Sequence, residues 1–272
     1  MIDIMNNLGI DEYTIISIDK IKDETKQSYN SNVIRNILTT EPKSVICIFF
    51  PYLSDEHSLD SNISVYAQGR DYHIWAKEKL TQAVIEFKKQ YKECNFAIQV
   101  DNGPIDERFF ALKSGLGLRG LNSLIINPKY GSYGFVGIIV TDLMFAEKSI
   151  QMGDCSLCKA CISACPGSAI KGDFTIDISK CASYLSQKKS ELSKEEEVIL
   201  KKSKKIFGCD ICQNICLHNI KAKKTVSDET LIIELKLSDI ENLSNREFKD
   251  KYGDRAFAWR GKNVLIRNLY IV

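Results

Sequence analysis

The sequence predicts an α/β region over residues 1–147, a small cysteine-rich module over 148–225, and a C-terminal extension over 226–272 that packs on the core. Three observations predict this. Short apolar runs alternate with amphipathic segments through the first half. Eight of the ten cysteines fall between Cys155 and Cys216. Nowhere do 18 apolar residues run together, so no segment reads as a membrane span.

The elements follow in order. Residues 44–50, SVICIFF, form a short apolar run ending at Pro51 and read as a buried strand. In YHIWAKEKLTQAVIEFKKQYK the apolar positions Ala76, Leu80, Ala83, Val84, Phe87 and Tyr91 recur at three- and four-residue steps, which gives a long helix one buried stripe. Asp71 stands where the N-cap of that helix belongs. FAIQV (96–100), SLIIN (123–127) and FVGIIVT (135–141) read as further strands, with a helix over 106–114. No glycine fingerprint of the dinucleotide type accompanies them. After Asp154 the texture changes to short elements and then a charged helix near 194–205, where Ser193 and Glu196 have the spacing of a capping box.

Composition is that of an ordinary globular protein, and a formal charge of +2 is too small to mark a nucleic-acid binder by itself. Any basic surface must be local. Lys201, Lys202, Lys204 and Lys205 before the last cysteines, and Lys221, Lys223 and Lys224 after them, are the candidates. The opening MIDIMNNLGIDEY has no basic stretch followed by an apolar run, so a cytoplasmic location is expected. Cytosolic thiols stay reduced, and eight of them crowded together point to metal.

CSLCKACISACP, residues 155–166, has the C-x2-C-x2-C-x3-C-P spacing of bacterial ferredoxins. A tight loop there places three thiolates on three irons of one cube, and the fourth cysteine faces a neighbouring cluster. A second group is therefore required, and Cys181, Cys209, Cys212 and Cys216 supply it. The crossed arrangement gives Cys155, Cys158, Cys161 and Cys216 to one 4Fe–4S cluster, and Cys165, Cys181, Cys209 and Cys212 to the other. Structural zinc is the competing reading, and the compact run of four disfavours it. Two adjacent clusters conduct electrons, so an acceptor is expected in the first region.

Several blocks resemble the cobalamin-dependent epoxyqueuosine reductases, which remove the epoxide oxygen in the last step of making the tRNA wobble nucleoside queuosine. They are VYAQGRDYH (65–73), VDNGPIDER (100–108), SGLGLRGLNSLIINPKYGSYGFVGIIVTDL (114–143), the first cysteine motif, CASYLS from Cys181, and FGCDICQNICLHN (207–219). The resemblance implies an α/β (α+β) cobalamin-binding domain related to reductive dehalogenases, followed by a bacterial ferredoxin-like double-cluster module. The chain looks like a short form without the family's C-terminal helical repeats. By resemblance, Asp101 donates a proton to the substrate oxygen, from a carboxyl kept protonated by burial near the corrin. Tyr66, Asp101, Gly120, Asn122, Ser123, Ser183 and Asp210 are the implied cofactor contacts, and His73 receives no role as a cobalt ligand. Leu118-Arg119 and Leu121 stand where the family usually has Trp-Ile and Lys. The implied partners are a tRNA anticodon loop carrying epoxyqueuosine and a flavodoxin or ferredoxin electron donor, with no membrane and a monomeric state. Two other readings stand beside this one: a dehalogenase-like reductase acting on another substrate, and a non-catalytic electron carrier whose first domain only docks.

Overall fold

The computed structural model describes residues 1–21, 38–101, 103–226 and 230–272. Among them, β1 (Tyr13–Ser17), β2 (Ser44–Pro51), β3 (Phe96–Val100), β4 (Leu118–Arg119), β5 (Ile125–Ile126) and β6 (Gly134–Thr141) are the strands. Four of these form one sheet in the order β1-β2-β6-β3, and β4 pairs with β5 in a separate ribbon. Every pairing in the four-stranded sheet is antiparallel. Because β2 and β3 both run opposite to β6, they are parallel to each other with β6 inserted between them. This split crossover explains why the sequence reads as strand, helix, strand although no two parallel strands are bonded.

Both faces of the sheet are covered. Along β2, Val45, Cys47 and Phe49 face one apolar cluster, and Ile46, Ile48 and Phe50 face the other. Alternating side chains that are all buried read in sequence as an uninterrupted apolar run. The second face is closed by α1 (Ile2–Asn7) and α2 (Tyr72–Gln90), and the first by α3 (Glu107–Ser114). Ala76, Leu80, Ala83 and Phe87 are the fully buried stripe of α2. A buried phenylalanine such as Phe87 contributes about 1.5–3 kcal/mol by leaving water. Asp71 caps α2 as expected, accepting from the His73 amide, and Asp106 caps α3 by accepting from that of Phe109.

The strand expected over 123–127 is reduced to Ile125–Ile126. A tight turn precedes it, with Ser123 at φ +66°, and the paired backbone bonds of Asn127 and Gly131 close another turn after it. β1 and α1 had no sequence counterpart above.

The remaining helices are α4 (Ala160–Ala164), α5 (Ala182–Leu185), α6 (Lys194–Ser203), α7 (Ile211–Asn214), α8 (Asn245–Tyr252) and α9 (Lys262–Ile271). The capping box of α6 forms, with Ser193 and Glu196 satisfying each other's backbone amides. Phe248, Tyr252, Phe257 and Leu265 from the last segment share one apolar cluster with Ile63, Ala67, Ile206 and Phe207. The cysteine segment is tied to the sheet by Arg119 against Asp154 (2.9 Å) and by Asn219, which accepts from the Ser132 amide (2.8 Å) and donates to its hydroxyl (2.9 Å).

Candidate functional site

Asp101 leaves the end of β3 at φ +60°, a backbone region that side chains rarely adopt. Closure of the loop falls to its neighbour Gln99, which is buried and uses its amide for the Ile105 N–H (3.0 Å), the Ile105 carbonyl (2.8 Å) and Glu107 (3.1 Å). The Asp101 carboxylate is thus spared for another task. It meets His73 on the first turn of α2, with Nε2 to Oδ2 at 2.9 Å, while His73 Nδ1 lies 2.8 Å from Asp71. An imidazole with a carboxylate on each nitrogen donates from both, which is the protonated form. The hydrogen bond that His73 donates to Asp101, then that to Asp71, raises it from 6.5 to about 9. His73, followed in smaller measure by the Tyr72 hydroxyl, holds Asp101 below the ordinary carboxylate range despite partial burial. The Asp101 side chain is half-exposed, and both shifts favour an ionised carboxylate beside a protonated imidazole.

Aromatic rings fix this pair. Tyr72 stacks on Phe135 with centroids 3.6 Å apart and planes at 5°, and its ring lies 4.0 Å from that of His73. Tyr66 sits edge-on to Tyr72 at 6.3 Å. Burial first, then the charges of Asp210, Asp71, Asp101 and Cys181, push the Tyr66 hydroxyl far up. Tyr66 therefore stands between the carboxylate end of the site and the cysteine module.

The thiols fall into two sets. Burial raises Cys161, and Cys155, Cys216 and Cys158 add to it; Cys216 responds likewise to Cys155 and Cys158. Burial pushes Cys209 up to about 12, and Cys181 and Cys165 add to it after Asp210. Cys212 is raised by burial and then by Cys209, Cys181 and Cys165. Cys155, Cys158, Cys161 and Cys216 also line one small cavity together. Backbone amides meet the sulfurs, as from Ala169 to Cys165 at 3.2 Å, and Asn122 reaches Cys212. Four thiols gathered without countercharge repel one another as thiolates, and bonds to iron replace that repulsion. This donor set fits two cubane clusters. The first set includes the exposed Cys158, whereas in the second Cys181 acts on Tyr66 and Cys212 meets Asn122.

Other expected contacts are engaged elsewhere. Asp210 is fully buried: its carboxylate accepts from Ser64 and from the Val65 amide (3.1 Å), with Lys205 at 3.4 Å. It clamps the 61–65 segment to the module rather than facing an open site. Gly208, at φ +73°, permits this approach, since a Cβ there would lie 2.3 Å from Ser64. Lys205 is buried too, donating to the carbonyls of Leu59 and Ser61, so it leaves the set of lysines expected to face phosphate. Lys201, Lys202, Lys204, Lys221 and Lys223 are exposed, and Lys224 pairs with Asp55 at 2.7 Å. Asn122 is buried against Cys212, and the Ser123 hydroxyl accepts from Arg108 at 3.0 Å. A Cβ on Gly120 would strike Asn122 in its own turn, so this glycine serves the turn itself. Ser183 is half-buried, and its carbonyl accepts from Gln187. The sequence reading missed His73. Its signal was an acidic N-cap two residues before a histidine at the start of the helix that leads into β3.

Comparison with known proteins supplies a family. Residues 154–219 match the 4Fe-4S double cluster binding domain, and residues 35–102 match the family described as epoxyqueuosine reductase QueG. An epoxyqueuosine reductase of Listeria monocytogenes is 29% identical over 88% of this chain and 66% of its own length. That of Cyclobacterium marinum is 32% identical over 85% of this chain and 76% of its own. The epoxyqueuosine reductase structure from Streptococcus thermophilus superposes with a TM-score of 0.82 at 26% identity, covering 99% of this chain and 78% of that one. A second, solved with an epoxyqueuosine-modified tRNA-Tyr stem loop, gives 0.80 at 25% identity, over 99% of this chain and 79% of that one. A catabolic reductive dehalogenase shares the fold at 0.50 and 15% identity, over 98% of this chain and 36% of its own.

Proposed function

The chain belongs to the epoxyqueuosine reductase family, and we propose that it reduces epoxyqueuosine to queuosine at the wobble position of tRNA, in the cytoplasm, with two 4Fe–4S clusters and cobalamin. Opening the epoxide to an alkene breaks two carbon–oxygen bonds, takes up two electrons and two protons, and releases water. When bound, cobalamin supplies a strongly reducing cobalt, fed with single electrons through the two clusters from a flavodoxin or ferredoxin. Everything else falls to the chain's own residues.

The observation that carries this reading is the charged row Asp71–His73–Asp101, standing beside Tyr66 and the inner cysteine set. Asp101 faces the substrate oxygen. As charge grows on that oxygen, the proton on His73 Nε2 crosses 2.9 Å to the Asp101 carboxylate, which delivers it to the oxygen. Asp71 holds the imidazole in place and compensates its charge. Tyr66 and Ser183 would line the cofactor, while Asn122 and Asp210 act on the second cluster's side. With its exposed Cys158, the first cluster would take electrons from the external donor.

The test is anaerobic reconstitution with iron, sulfide and cobalamin, followed by reductant and an epoxyqueuosine-bearing stem loop, with nucleosides read by mass spectrometry. Queuosine is the expected product. Intact epoxide with both cofactors fully loaded would overturn the proposal.

A further inference from the structure

A cavity of about 480 Å³ opens between α8, the start of α9 and Asp71, within the size range of sites for small organic ligands. Lys249, Arg255, Arg260 and Lys262 line it against the single carboxylate of Asp71, and Trp259 forms part of its wall. Two of these cations already serve the fold. Arg255 pairs with Asp254 and donates to the Thr230 carbonyl, and Lys262 donates to the carbonyls of Glu241 and Leu243. Lys249 is exposed. Arg260 stacks over the Trp259 ring, 3.5 Å from its centroid. Its Nε is the one buried side-chain nitrogen or oxygen among the described residues that has no hydrogen-bond partner, a deficit that calls for an acceptor. Trp259 itself is 57% exposed, and a bond from Nε1 to Gln187 at 2.9 Å sets the plane of its indole. Arg260 covers part of this ring, and the large apolar surface that stays exposed costs free energy unless something else covers it.

We propose that this cavity holds a single-stranded nucleotide of the anticodon loop beside the reacting one, its base stacked on Trp259 and its phosphate on Arg260 and Lys249. An exposed aromatic ring beside cationic side chains is the chemistry of sequence-tolerant single-strand binding. Its position suits this use. Asp71 lines the cavity, donates its backbone N–H to the Asp254 carbonyl at 2.7 Å, and carries His73 on its carboxylate. A nucleotide seated here would thus lie one side chain away from the proton relay. The inference rests on the tRNA reading above and adds a subsite to it.

The experiment measures fluorescence anisotropy of a dye-labelled anticodon stem loop titrated with the reconstituted protein and its variants. W259A and R260A should each weaken binding about tenfold, W259F should bind within about twofold of wild type, and K249A should lower the slope of log affinity against log salt by about one. Cluster absorbance and circular dichroism check that each variant is folded, and the exposed Trp259 offers a test even where R260A does not fold. Unchanged RNA binding in W259A and R260A would overturn the site, as would displacement of the RNA by inorganic phosphate with no effect of W259A. The two proposals fail separately. Binding that depends on Trp259 together with an unreduced epoxide would keep this site and remove the proposed reaction, whereas reduction with binding indifferent to both variants would do the reverse.

Discussion

Strand β2 buries every residue from Ser44 to Phe50, whereas α4, which carries Cys161 in the middle of the first cysteine motif, buries none. The sheet region has two apolar clusters, one on each face. Between Cys155 and Cys181 the described chain offers little but Ala169 and Ile170 to a core. One region is held by water's exclusion from apolar surface, the other by bonds that its thiols make to iron. The cysteine segment's own packing cannot offset the entropy of ordering it.

The largest expected effect follows from this contrast. Anaerobic removal of iron with a chelator should abolish amide-exchange protection across 155–181 and leave β2 and β6 protected. Retained protection across the cysteine segment would show that its packing suffices without metal. Asp101→Asn comes next and should leave both regions intact. Turnover should fall by about 10²–10⁴-fold while clusters and corrin remain bound, as absorbance would report; normal turnover would remove Asp101 from the reaction. Phe87→Ala tests the opposite region. It should cost the sheet about 3–5 kcal/mol in chemical denaturation and leave the iron content per folded chain unchanged.

Legibility in the sequence divides along the same line. Burial on two faces of a sheet writes itself as apolar runs, so 44–50, 96–100 and 135–141 and the stripe on α2 were readable from periodicity alone. Metal ligation writes itself as spacing, so the double 4Fe–4S module over 154–219 was readable as well. Neither code records pairing partners. The alternation suggested a sheet without revealing that β6 lies antiparallel between β2 and β3, or that 123–127 turns away into a ribbon. Polar networks were the least legible. Asp210 read as a cofactor contact and Lys205 as a phosphate contact, yet they face each other in a buried cluster with Ser64, over 140 residues away in the chain. His73 was passed over because a lone histidine says nothing until the fold brings Asp101 to it.

That histidine sharpens the comparison through pH. The groups facing it are Asp71 and Asp101 on its two nitrogens and Tyr72 across its ring, with Tyr66 beyond Tyr72 and Glu107 beyond Asp101. Because its value in the fold is raised from 6.5 to about 9, the stabilising charge pair is complete below about 6.5 and is lost as pH rises through about 9. Asp101 is shifted the other way, so its share is present above 3.8 and is lost as pH falls through its lowered value. Turnover should therefore decline above about pH 9, and in His73→Gln that alkaline limb should vanish along with about 10²-fold of the rate. An unaltered alkaline limb in the variant would assign it to another group.

The smallest effect asks whether the two regions unfold as one. Ser193 accepts from the Glu196 amide at 3.3 Å, and Glu196 accepts from the Ser193 amide at 2.8 Å while also holding Lys188. Ser193→Ala removes one half of this box and should cost about 1 kcal/mol, which is about a fivefold loss of exchange protection across α6. If the sheet and the module are separately held, strands β2 and β6 will exchange as before, since nothing in their two apolar clusters reaches α6. An equal loss in β2 would mean a single cooperative unit, with the cysteine module drawing on the sheet's stability through the Asp210 clamp and the shared cluster around Phe207.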